Sequence, residues 1–475
     1  MPSERRTRIV ATVGPASRDP KMLSALVEAG VNVFRLNMSH GTHEQHLEVI
    51  GHIREIGTCL KRHVAILGDL CGPKIRVGLF PGGSVMLETG SDVVVTTRDV
   101  PGTATLIPSQ YSSLHQDVRP DGRILLDDGL LELKVVRIEG TEVHCKVIHG
   151  GPLSDKKGMN LPGSSLSTPA LTSKDREDAQ FLLQNGVDLL ALSFVRRPSD
   201  IDDLRKVIDA AGKSTPIIAK IEKPEALESL DGILEAANGV MVARGDLGVE
   251  VPLESVPIIQ ADIIERARFK ACPVIVATQM LESMVTQPRP TRAEASDVSG
   301  AVFAGADAVM LSAETARGQY PLETVRTMDR ICRKVETWQS LETGFRQPMP
   351  RQVGPEKMHS IPLTRAIARS TAQLSSDLRV RAVVVRSKGG TSAAMVSSTR
   401  PSAPILALTT DERVARRMCL LWGVIPRVIS TEEFDRPKSA ARHHAAALGL
   451  VEPGQFLLLL SGLGKQEPSL TVLPL

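Results

Sequence analysis

The sequence predicts an α/β protein: a (β/α)8 TIM barrel, a small β-barrel lid domain inserted after strand 3, and a C-terminal α/β domain. Three observations predict it. Short β-branched runs alternate with amphipathic segments, one gap between such runs is too long for a single crossover helix, and the texture changes after about residue 345. Continuous apolar strands alternating with helices signal a parallel sheet covered on both faces.

Eight barrel strands are expected, at 8–13 (RIVATV), 31–38 (VNVFRLNM), 64–69 (VAILGD), 188–195 (DLLALSFV), 216–222 (PIIAKIE), 239–243 (GVMVA), 273–278 (PVIVAT) and 307–312 (DAVMLS). Helical patterns fill the intervals, as in Lys21–Ala29 and Asp175–Asn185. Strands three and four lie about 120 residues apart, too far for one helix. The stretch between them, 71–166, is rich in Gly and Pro and carries alternating runs such as ELKVVRIEGTEVHCKVIH (132–149). An insertion there sits at the C-terminal mouth of a barrel, where it can act as a lid. The catalytic barrel is thus expected over 1–70 and 167–344, the lid over 71–166, and a regulatory domain over 345–475. GFRQPMPRQVGPEKMHS (344–360) reads as a linker. Strands at 380–386, 404–409, 425–430, 455–460 and 470–474 follow it.

The totals exclude several classes of function. Among 475 residues the net charge is +3 and no run of five like charges occurs, so nucleic acid is not an expected partner. MPSERRTRIV has no apolar core of signal-peptide length, and FLLLL (456–460) is too short to span a bilayer, so no membrane association is expected. Six cysteines are scattered without a C-x-x-C pair, which fits a reducing cytoplasm.

The chemistry gathers at strand ends. In AKIEKPEAL (219–227), Lys220 and Glu222 point to one side of their strand. Alone, the pair reads equally well as a rim salt bridge. Asp246 in ARGDLGVE (243–250) adds a second carboxylate, and two carboxylates with substrate oxygens and water are how Mg²⁺ is usually held. Arg35, Asn37, Ser39 and His40 end strand two, Asp69 ends strand three, and Thr278 ends strand seven. Polar residues from five strands on the active face of a barrel point to function. An arginine fork, a lysine, a divalent ion and a water-excluding lid fit phosphoryl transfer.

TRIVATVGPAS (7–17), VNVFRLNMSHG (31–41), SDKKGMNLPG (154–163), IIAKIEKPEAL (217–227), VMVARGDLGVE (240–250), VIVATQMLESM with PRPTRAEASDV (274–298) and ADAVMLSAETARGQYP (306–321) together resemble the pyruvate kinases. STRPSAPILALT (398–409) extends the resemblance more weakly into the last domain. The resemblance implies phosphoryl transfer from phosphoenolpyruvate to ADP, giving ATP and pyruvate. It implies that Glu222 and Asp246 bind Mg²⁺, with Mn²⁺ as a substitute. Lys220 would stabilise the phosphoryl group in flight and the enolate, Arg35 would grip the phosphate, and Thr278 would hold the carboxylate side and help deliver the proton. The backbone of Ala243, Arg244, Gly245 and Asp246 would complete the carboxylate pocket beside Ser193. Asn37, His40, Arg76 and Lys157 would meet the nucleotide phosphates.

Many members of that family need K⁺, held by the equivalents of Asn37, Ser39, Asp69 and a following threonine, with a nearby glutamate in GPE. Here the segment is GDLCGPKIRVG (68–78): Leu70 replaces the threonine and Lys74 the glutamate. The lysine brings a tethered ammonium to that neighbourhood, so turnover is expected not to require K⁺. The plainer alternative leaves Lys74 in solvent on the hinge.

In RSKGGTSAA (386–394), Ser387, Lys388, Gly389, Gly390, Thr391 and Ser392 could cradle a phosphate at a helix start, or simply form a capped turn. The resemblance implies an effector site here, for a phosphorylated sugar or nucleotide, and a homotetramer with PRPTRAEASDV at a subunit contact. SGLGKQEPS (461–469) is not a Walker loop, since it lacks the earlier glycine and has Gln466 in place of Ser or Thr. Two rivals are a Mg²⁺-dependent aldolase or lyase, which would need no nucleotide clamp, and a silent metabolite sensor, which would be expected to lose Lys220, Arg35 or a metal ligand.

Overall fold

The computed structural model describes residues 5–164, 167–342, 361–463 and 467–475. The linker-like stretch 344–360 and Gly464–Gln466 of the rejected loop lie outside the described residues. Eight parallel strands close into a barrel in chain order. They are Arg8–Thr12, Val33–Asn37, Ala65–Asp69, Leu189–Leu192, Ile217–Ile221, Gly239–Ala243, Val274–Ala277 and Ala308–Leu311. Each lies within an expected run. The fourth stops earliest, because Phe194 takes a left-handed backbone (φ 57) that no strand tolerates.

Alternation along the strands divides two apolar layers. Val10, Val33, Leu67, Ala191, Ile218, Met241, Ile275 and Met310 point inward and fill the barrel. Their neighbours Ile9, Phe34, Ile66, Leu190, Val240 and Val309 point outward against the helices. The barrel is thus a packed core, and chemistry is confined to its rim. Several barrel helices start on side-chain caps. Asp19 accepts from the amides of Lys21 and Met22 to begin Pro20–Ala29, and Thr42 forms a capping box with Gln45 to begin His43–Cys59.

The chain leaves the barrel after Asp69 and builds a two-stranded sheet and a six-stranded sheet, whose last strand in the chain is Met159–Asn160, around one core. The alternating run expected at 132–149 forms the hairpin Leu131–Glu139 with Glu142–His149. The C-terminal sheet has four parallel strands and an antiparallel edge strand, Ser469–Pro474. Its turn Met418–Leu420 reaches under the barrel, where Cys419 and Leu420 join the inward-facing core. Arg400 meets Asp307 at 3.0 Å and Arg416 meets Asp188 at 2.8 Å across the same junction. No helix among the described residues is long and apolar enough to cross a membrane.

Burial sets the reactivity of the thiols. Cys59 is exposed and Cys71 partly so, whereas Cys145, Cys272, Cys332 and Cys419 are buried. Burial pushes Cys145, Cys332 and Cys419 up to about 12 and raises Cys272 as well. A native sample treated with iodoacetamide should be alkylated at Cys59 first and Cys71 more slowly, with the other four modified only after denaturation. Peptide mass spectrometry checks this; rapid native modification of Cys419 would mean that the C-terminal domain does not seal the barrel.

Candidate active site

Lys220 stands at the centre of the rim. It lies near the end of the fifth strand, buried, with its ammonium 2.7 Å from Glu222 Oε1 and 3.6 Å from Asp69. It also donates to Ser193 Oγ at 2.8 Å, and Ser193 donates in turn to the Leu70 carbonyl at 2.7 Å. Burial alone would lower the Lys220 pKa; the charges of Asp69, Glu222 and Asp246 overcome it and hold the pKa up. Lys220 therefore stays an ammonium across the physiological range. Arg35 arrives from the second strand and forks onto Asp69, with Nε and Nη2 both 2.6 Å from Oδ2. Its Nη1 reaches Thr12 on the first strand at 3.1 Å. Burial would raise Asp69, but Lys220 and Arg35 more than offset it and hold its pKa down.

Glu222 sits just past the fifth strand, its Oε2 accepting from the Phe194 amide at 2.9 Å. Asp246 sits in the first turn of Arg244–Glu250, which follows the adjacent sixth strand. Asp246 is exposed to solvent. The protein around it and the nearby charge of Glu222 still push its pKa up to about 6. Two neighbouring carboxylates that repel each other are a donor set suited to a divalent cation. Asp69 Oδ1 is buried without a hydrogen bond and faces the Lys220 ammonium at 3.6 Å. Thr278 accepts from the Gly245 amide at 2.7 Å and donates to the Ala277 carbonyl at 2.6 Å. Its backbone is left-handed (φ 69), a costly conformation for a β-branched residue and a mark of functional sites.

Comparison with known proteins gives the family of the chain. Models of the families "Pyruvate kinase, barrel domain" and "Pyruvate kinase, alpha/beta domain" match residues 4–325 and 365–471. The chain belongs to the pyruvate kinase family. It is similar to pyruvate kinase 2 of Synechocystis sp., at 46% identity over 96% of this chain and 75% of that one. A pyruvate kinase of Geobacillus stearothermophilus is 44% identical over 98% and 79%. The crystal structure of a pyruvate kinase from Cryptosporidium parvum superposes with a TM-score of 0.92 at 34% identity, covering 99% of this chain and 96% of that one. Like other pyruvate kinases the protein is a phosphotransferase, with phosphoenolpyruvate and ADP as substrates and pyruvate and ATP as products.

Other residues expected at the site of this pyruvate kinase are less tightly gathered. His40 is exposed at the rim; burial lowers its pKa first, and the charges of Lys74, Arg76, Arg35 and Arg317 lower it further. This ring of cations includes Arg317, which sequence reasoning did not single out although it lies in the quoted ADAVMLSAETARGQYP. Asn37 accepts from the Ser39 amide at 3.2 Å, and Arg76 donates to the Lys156 carbonyl at 2.9 Å. Lys157, on the lid, is paired with the lid's own Asp127 at 2.8 Å rather than with a barrel residue. The Arg244 side chain turns to Asp297 at 2.6 Å and the Thr278 carbonyl at 2.9 Å, bracing the seventh strand end. Lys74 is exposed, yet its charge is felt at His40, Asp69 and Asp246. Leu70 is fully buried.

At the C-terminal loop, Gly390 (φ 91) caps the helix Thr391–Ser398, and Ser387 Oγ accepts from the Ala393 amide at 3.4 Å. Gly389, Thr391 and Ser392 lie at this turn, while Lys388 leans over the Phe434 ring. Replacing Asp69 with Ala strands Arg35 and Lys220 without their shared counter-charge and should cost about 3–5 kcal/mol of stability. Urea or thermal unfolding checks this; an unchanged midpoint would remove Asp69 from that role.

Proposed function

We propose that the rim works as a charge-relay-free phosphoryl-transfer site, in which fixed cations take up negative charge as it moves. The observation that carries the reading is Lys220, kept charged while pinned among Ser193, Glu222 and Asp69. Glu222 and Asp246 would hold Mg²⁺, or Mn²⁺ in its place. Bound there, the ion supplies Lewis-acid stabilisation of charge on the substrate oxygens. Arg35 grips the phosphate of phosphoenolpyruvate, and the backbone of Ala243–Asp246 with Thr278 receives the carboxylate. As the bond from phosphorus to the enol oxygen breaks and one to the ADP oxygen forms, Lys220 balances the phosphoryl group and then the enolate. The enolate carbon then takes a proton on the side of Thr278. Asn37, His40, Arg76 and Lys157 meet the nucleotide phosphates, which requires Lys157 to leave Asp127. His40, with its lowered pKa, does so as a neutral hydrogen-bonding group.

The same reading makes turnover independent of K⁺. Buried Leu70 offers no side-chain oxygen, and its carbonyl already serves Ser193. Asp69 is engaged by two cations, and Lys74 adds a fixed positive field. We further place the protein in the cytoplasm as a homotetramer, with the loop Ser387–Ser392 as a site for a phosphorylated effector.

Two measurements test the proposal. A coupled assay should show pyruvate and ATP formed together, and Lys220→Met should abolish transfer while Mn²⁺ still binds; an active Lys220→Met enzyme would overturn the assignment. In buffer free of K⁺ and NH₄⁺ the rate should be unaffected by added KCl at matched ionic strength. A large activation would refute the surrogate role of Lys74.

A further inference from the structure

A second, deeper ion pair lies beside the proposed metal ligands. Lys223 follows Glu222 directly and is buried, its ammonium 2.5 Å from Glu250 Oε1. Glu250 closes the short helix whose first turn carries Asp246, one helical turn earlier on the same face. Both side chains are almost wholly out of water, at 5% and 2% exposure. A pair buried this deeply gains little net stability, because desolvating two charges costs about as much as their attraction returns. What it does supply is a fixed distance between two loops.

Those loops are the ones that carry Glu222 and Asp246. They leave adjacent barrel strands, and past the last paired residues of those strands no ladder hydrogen bond holds them together. We propose that Lys223 and Glu250 are positioning residues: their ion pair sets the separation of Glu222 and Asp246, and with it the affinity for the divalent ion. The inference rests on the assignment of Glu222 and Asp246 as the metal ligands.

Two further contacts fit this role. Lys223 lies 5.9 Å from the centre of the Phe194 ring, and the Phe194 amide holds Glu222 Oε2. Glu250 Oε1 also accepts from Asn160 Nδ2 at 3.3 Å, and Asn160 belongs to the last strand of the lid. A Cβ on Gly129, in a turn of the lid, would lie 3.8 Å from Val249. The lid therefore rests on the same helix that the ion pair anchors.

The test uses the full-length enzyme and Mn²⁺ alone as probe, followed by electron paramagnetic resonance of the free ion. Glu250→Gln and Lys223→Met should each weaken Mn²⁺ binding about 10- to 100-fold, the range for residues that orient metal ligands. The Mg²⁺ concentration for half-maximal rate should rise in parallel, while kcat at saturating Mg²⁺ stays within a few-fold. Because a lone buried charge can unfold the chain, the neutral double variant Lys223→Met with Glu250→Gln is measured too. It should lose no more affinity than either single variant, since the pair acts as one unit. Folded variants that bind Mn²⁺ as the parent does would overturn the proposal. Glu222→Gln and Asp246→Asn serve as controls: if they also keep parental Mn²⁺ binding, the ligand assignment fails, not the positioning role alone.

Discussion

A buried ammonium must be compensated, and that requirement organises the upper rim of the barrel. Lys220 is held by groups from the third strand and from residues just past the fourth and fifth. Asp69 passes the constraint on to Arg35 on the second strand, and Arg35 passes it to Thr12 on the first. Thr12 in turn donates to the Leu311 carbonyl on the eighth. Polar side chains thus link strands round much of the ring, above an interior that is wholly apolar. Low-dielectric surroundings strengthen each of these bonds and make the loss of any one costly. A site assembled this way is pre-organised, because its cations and carboxylates are already oriented before substrate arrives.

Rigidity at the rim is accompanied by local strain. Phe194, Thr278 and Gln279 all have left-handed backbones, and all lie within two residues of the ends of barrel strands. Such conformations persist only where surrounding contacts over-determine them. Phe194 is held by the hydrogen bond its backbone amide donates to Glu222, and Thr278 by its hydrogen bonds with Gly245 and Ala277. The entry to the lid adds a position open only to glycine: Gly72 is left-handed (φ 67), and a Cβ there would lie 2.5 Å from the Phe194 ring. The first hinge of the lid is therefore packed against a residue that itself orients a proposed metal ligand.

Much of this was legible in the sequence, for physical reasons. The barrel strands were readable because parallel strands buried on both faces must be continuous apolar runs. Lys220 and Glu222 were readable as partners because strand periodicity puts them on one side. Other parts needed coordinates. Asp69 was expected as a polar strand end on the active face and as the equivalent of a K⁺ ligand, yet it is the counter-charge of Arg35 and Lys220; pairs that far apart in the chain leave no local pattern. Lys223, Glu250 and Asn160 meet from three separate segments, and each alone looks like an ordinary polar residue. The pairing order of the lid strands is set by long-range register, which alternation cannot give. Nothing in VATQM announces that Thr278 is left-handed.

The lower face of the barrel obeys a different rule. There Cys419 and Leu420 plug the apolar interior, so the C-terminal domain completes the core and does not merely adjoin it. Charges flank the plug: Arg416 grips Asp188 and Arg400 grips Asp307. Asp188 immediately precedes the fourth strand, and Ser193, which holds Lys220, immediately follows it. A four-residue strand spans only about 13 Å at the usual rise. A strand hydrogen-bonded on both sides is stiff along its axis, so the lower ion pair and the residue that holds Lys220 are separated by one rigid element. Any displacement of the C-terminal domain must therefore break the grip on Asp188 or bear on the strand that positions Ser193. This connection between the last domain and the rim passes through the barrel wall rather than around it.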